Sequence, residues 1–133
     1  MVKYDQALKI IEAAHLHAAH INANVSVAVV DAGSHLVALG RMNGANPISP
    51  QIAEAKAVGA AMFMRDGGSL LTTATERPAF FHAVSGMTRT SLVPGHGSVL
   101  LEQDGVVVGA VGVSGAKPEQ DLECAEAGAA TFG

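Results

Sequence analysis

Residues Val106–Phe132 read VVVGAVGVSGAKPEQDLECAEAGAATF, and their succession of strand, turn and helix decides the fold. Val106–Val113 is short, β-branched and apolar, which suits a strand buried on both faces. Ser114–Lys117 is turn chemistry. Pro118 then suits the first position of a helix, where its missing N–H costs nothing, and Glu119 and Asp121 suit the positive end of the helix dipole. Ala125, Ala127, Gly128, Ala129 and Ala130 make this helix thin enough to lie close to whatever it covers. Gly109 and Gly112 are read as the points where helix and sheet approach each other. Their spacing with Gly115 departs from a phosphate loop or Rossmann fingerprint, and the neighbouring hairpins argue against the parallel βαβ unit that those loops need.

Upstream, Asp104-Gly105 is a hairpin signal joining this strand to another at Ser98–Glu102. Pro94-Gly95-His96-Gly97 is a sharp turn, with a brief strand expected at Leu92–Val93. At the other end of the chain, Ala7, Ile11, Ala14, Ala18 and Ile21 define the apolar stripe of a helix over about 4–22. Asn22 and Asn24 end it, because Asn tolerates left-handed geometry. Val25–Asp31 and Leu36–Met42 are strands joined by the turn residues Asp31–Ser34 and are therefore antiparallel. Ser49 is expected as the N-cap of a helix with Pro50 at its first position, running to about Met64 and closed by the glycines of 65–69. Residues 70–90 are expected to hold one or two short helices. The reading is one domain over 1–133 of the α/β (α+β) class, a five-stranded, largely antiparallel sheet with helices on its faces.

Composition narrows the function. The chain has 133 residues, 49% hydrophobic and only 15% charged, enough for a core without staples. Such low charge suggests surface hidden in a homo-oligomer. A net charge of −4 without a Lys/Arg cluster argues against nucleic acid and anionic membranes as partners. No apolar run approaches a membrane span, and the N-terminus reads as an amphipathic helix, not a signal peptide. A lone cysteine, Cys124, permits no internal disulfide and fits a reducing compartment, the cytoplasm.

No catalytic set is legible. Glu54 and Lys56 read as solvated helix charges, and Asp31 and Asp104 as turn aspartates. Of six histidines, His15, His17 and His20 share the first helix, but no pair has the i, i+4 spacing that chelates from one face. His96 differs from the others. Glycines on both sides allow an unusual backbone that brings its ring close to a ligand, and imidazole is a common axial ligand of haem iron. Ser114–Lys117 before a helix N-terminus suits a carboxylate or phosphate.

Four stretches together carry a resemblance: VSVAVVDAGSHLVALGRMNGA (Val25–Ala45), AEAKAVGAA (Ala53–Ala61), LVPGHGSVLLEQDGVVVGAVGVSGA (Leu92–Ala116) and PEQDLECAEAG (Pro118–Gly128). The sequence resembles the GlcG/HbpS family, which includes the C-terminal domain of PduO-type proteins and the OrfY-type proteins. The resemblance implies a profilin-like three-layer α/β/α sandwich with a five-stranded antiparallel sheet, and homo-oligomers, octamers in known members. It implies haem for some members and, for others, a place beside glycolate, diol or glycerol catabolism. In the HbpS type the haem is contacted by the region entering the first strand and by the Gly-rich loop. Those regions here hold His20, Asn22 and Asn24, and Gly95, His96, Gly97 and Ser98. Asn24 stands where the HbpS pattern has a histidine, so the resemblance leaves His96 or His20 as iron ligand. Lys117 would hold a propionate, and Phe80, Phe81 and Met87 would supply apolar walls. The leading expectation is haem or a related tetrapyrrole bound between subunits. The alternatives are an enzyme acting on a small carboxylate or aldehyde at the same loop, and an accessory subunit of a partner enzyme.

Overall fold

The computed structural model describes Met1–Gly133. Its elements are α1 (Tyr4–His20), β1 (Ser26–Asp31), β2 (Leu36–Arg41), α2 (Ser49–Phe63), α3 (Gly67–Glu76), α4 (Pro78–Ser85), β3 (Ser98–Gln103), β4 (Val106–Ser114) and α5 (Pro118–Ala129). The sheet has four strands in the order β2-β1-β4-β3, and every pairing is antiparallel. The strand expected at Leu92–Val93 does not form. Leu92 turns inward against Leu70 and Phe81, and its N–H donates to Ser85 Oγ at 2.9 Å. Its backbone is thereby tied to the end of α4 instead of a sheet edge.

Both hairpins form where turn chemistry placed them. Asp104 (φ 53°) and Gly105 (φ 77°) make the β3–β4 turn, the left-handed pair that matches strand twist. Between β1 and β2, Asp31 Oδ1 accepts the N–H groups of Gly33 and His35, each at 2.9 Å, an Asx turn that fixes the reversal.

The strand period of two divides the sheet into two faces. Val27, Val29, Leu101, Val111 and Val113 join Ile10, Ile11 and Cys124 under α1 and α5. Val30 and Ala110 join Ala57, Val58 and Ala60 under α2. Cys124 is fully buried, as expected of a small apolar filler. β4 is buried from Gly109 to its end. A side chain at Gly112 would run into the backbone of α2 at Ala53 and Ala57, as read from the sequence. A side chain at Gly109 would strike Val30 O of the adjacent strand and Val2, so that glycine serves strand and N-terminus, not a helix.

Two local expectations are corrected. Ser49 is the first residue of α2 instead of its cap; its buried hydroxyl donates to Asn46 O at 2.7 Å and meets Ser26 Oγ at 2.8 Å. The helix ends on Met64, whose backbone turns left-handed (φ 57°). Gly67 and Gly68 accordingly open α3 instead of closing α2.

Candidate functional site

At the edge of α3, the sharp turn before β3 is moored from three sides. Gly95 and Gly97 take φ values of 140° and 124°, which side chains on L-residues rarely permit. Gly97 O accepts Val113 N–H at 2.7 Å, locking the loop onto the end of β4. A Cβ at Gly97 would stand 2.8 Å from Lys56 Nζ, 2.8 Å from Val113 O and 3.0 Å from Asp121 Cβ. A Cβ at Gly67 would collide with Gly95 O and Ser98 Oγ. Both glycines are therefore required by the close approach of loop, helix and sheet.

Beneath the loop lies an ion pair that sequence reasoning missed. Lys56, read as a solvated helix charge, is 8% exposed, and its partner Asp121 is 3% exposed. Lys56 Nζ donates to Val113 O at 2.9 Å and to Asp121 Oδ2 at 3.2 Å. Asp121 Oδ1 accepts Ala116 N–H at 3.0 Å. Burial pushes the Asp121 carboxyl above its ordinary range, opposed by the Lys56 charge and the Ala116 N–H. The signal available in the sequence was one lysine within AEAKAVGAA, a segment whose alanines imply contact on most sides; its partner lies too far along the chain to be read from spacing. Glu54, the other charge of that helix, accepts from Arg89 Nη1 at 2.6 Å.

His96 sits on top of this mooring. Its ring lies against Gly68, where a Cβ would come within 2.9 Å of Cε1. The residue is exposed, and its ring nitrogens make no hydrogen bond within the chain, so both remain available. Ser98, next along, is 1% exposed and its hydroxyl has no partner. His20 is also exposed and unpaired at the end of α1. The other histidines of that helix have structural partners: His15 Nε2 meets Gly40 O at 3.0 Å, and His17 meets Glu123 at 3.2 Å across to α5. No three His, Cys, Asp or Glu side chains converge as a metal-ligand set.

The site residues read from the sequence do not share one cleft. Gly95, His96, Gly97 and Ser98 are together by continuity. Lys117 instead lines a polar cleft of about 380 Å³ with Asn22, Asn24, Gly44, Asn46, Gly115 and Gln120. A more apolar cleft of about 350 Å³ runs between α2 and the segment before the loop, with Ile48, Ile52, Ala55 and Val93 on its walls. Phe81 is buried against Leu70 and Leu92 and faces no ligand. Phe80 is 38% exposed and Met87 80% exposed, with the Arg77 guanidinium 4.0 Å above the Phe80 ring.

The molecule is a mixed α+β domain that presents His96 on a doubly glycine-flanked loop. Residues 2–130 match the model of the HbpS-like family, described as "Haem degrading protein HbpS-like", and the chain belongs to that family. Protein GlcG of Escherichia coli (strain K12) is 38% identical over 115 residues, covering 86% of this chain and 81% of that protein. Among solved structures, HbpS superposes with a TM-score of 0.89 at 28% identity, covering 99% of this chain and 90% of the other. A structure described as a PduOC:Heme complex superposes with a TM-score of 0.87 at 25% identity, covering 98% and 94%.

Proposed function

We propose that this protein binds haem or a related tetrapyrrole as a homo-oligomer, with residues 1–133 acting as one unit. The observation that carries the reading is the likeness, over almost the whole chain, to a structure solved with haem. The residues present fit the group: His96, which would hold the iron, is exposed, free of hydrogen bonds and on a moored loop. His20 is the alternative ligand, exposed and equally free. Lys117, itself exposed, would hold a propionate by a charge-assisted contact. The apolar walls would come from Ile48, Ile52 and Val93, closed by a second subunit. Bound haem would supply an iron centre that exchanges electrons and axial ligands.

Helices on both faces of an antiparallel sheet support the profilin-like assignment that the family implies. No helix is long and apolar enough to cross a membrane; the single buried cysteine supports a reducing compartment, and we assign the protein to the cytoplasm. A place beside glycolate, diol or glycerol catabolism, as an accessory protein, is what the family resemblance implies and belongs to the same reading.

The test is an absorbance titration with hemin. A saturable, stoichiometric Soret shift is expected, and His96→Ala should alter the band and weaken binding about tenfold or more. Unsaturable binding would overturn the haem reading. An unchanged spectrum and affinity in His96→Ala would pass the ligand role to His20, tested by His20→Ala.

A further inference from the structure

The polar cleft around Lys117 has a composition that the haem reading does not use. The chain contains four asparagines, and three of them, Asn22, Asn24 and Asn46, line this one cleft with Gln120 and Lys117. They arrive from separate places: the end of α1, the lead into β1, the loop before α2 and the first turn of α5. Asn22 has a conformational reason to be asparagine, since its backbone is left-handed (φ 59°). Asn24 and Asn46 have no positive φ to explain them. The three asparagine carboxamides make no hydrogen bond within the chain. Gln120 spends its Oε1 on Lys117 N–H at 3.2 Å, which leaves its amide N–H groups free.

The charge pattern is equally selective. Acidic residues outnumber Lys and Arg by 12 to 8 over the whole chain, yet the cleft lining contains one lysine and no carboxylate. Of the two acids that flank Gln120, the exposed Glu119 is not part of the lining, and Asp121 is turned inward and held by Lys56 and Ala116 N–H. A carboxamide both donates and accepts, so a set of them recognises groups that do the same, above all hydroxyls. A lone ammonium beside them recognises an anion. The cleft volume, about 380 Å³, suits a small molecule, and its lining is too polar for a porphyrin face.

We infer that this cleft is a binding site for a small hydroxycarboxylate, with the carboxylate on Lys117 and the hydroxyls on Asn22, Asn24, Asn46 and Gln120. This site shares Lys117 with the haem reading but needs neither iron nor His96.

Calorimetric titration of the full chain with sodium D-glycerate tests it, with glycerol and sodium chloride as controls. Saturable binding of glycerate at one site per chain is expected, with glycerol at least about tenfold weaker. Lys117→Met and the double variant Asn24→Ala/Asn46→Ala should each weaken glycerate about tenfold or more, while Lys117→Arg retains binding. No saturable glycerate binding, or binding indifferent to both variants, overturns the inference. Glycerate binding lost in Asn24→Ala/Asn46→Ala while its hemin titration is unchanged supports the inference and separates it from the haem reading. Loss of hemin binding with glycerate binding intact would sink only the haem reading.

Discussion

Cys124 is a residue whose chemistry is altered by its surroundings. Burial pushes its thiol up to about 11, with the Asp121 and Glu123 charges adding to the effect. The thiol is therefore protonated at neutral pH and a poor nucleophile. The sign of its contribution to stability follows from linkage. A pKa raised in the folded state gives stability that is present below the unfolded value and lost as pH rises through the folded one. Between about pH 9 and pH 11, stability should fall by an amount on the order of 2–3 kcal/mol attributable to this thiol. Urea unfolding of the wild type and Cys124→Ala across that range measures it: the fall should be shallower in the variant, and parallel curves would refute the assignment. His96 belongs to the same scale. Its flanking glycines were legible as a device for unusual backbone, whereas its freedom from partners was visible only once the ring was placed against Gly68.

The elements are joined by the Lys56–Asp121 pair, which ties α2, the end of β4, α5 and the glycine loop in one place. Removing one partner leaves a buried charge alone, and Asp121→Ala should cost about 3–5 kcal/mol in urea unfolding. Replacing both with apolar residues, as in Lys56→Met/Asp121→Leu, should cost much less, because no unpaired charge remains. Equal losses in the two variants would show that the pair's charges are not what matters there. The helices were predictable from their own residues: the stripe of α1, Pro50 near the start of α2, and Pro118 at the start of α5. Their partners were not. Ser49 reads locally as a cap, but a buried contact with Ser26 on the neighbouring strand redirects its hydroxyl.

Over the whole molecule, large apolar side chains remain on the surface. Leu36 is 43% exposed, Ile48 52%, Met62 48% and Met64 62%, apolar area that the proposed homo-oligomer would cover. Light scattering should return a defined multiple of the protomer mass, and a protomer mass at micromolar concentration would refute the proposed oligomer. The sequence by itself determined the order of the elements, both hairpins, the antiparallel character of the sheet and the family, because those depend on periodicity, turn conformation and motif, all local along the chain. It misread the number of strands, because the fate of Leu92–Val93 rests on Ser85, Leu70 and Phe81, which meet it only in three dimensions. It misread Lys56 as solvated for the same reason: a charge can be buried only where a distant partner compensates it. The gathering of three asparagines and Lys117 into one cleft was likewise decided by the tertiary structure alone, since no spacing in the chain records where separate loops converge.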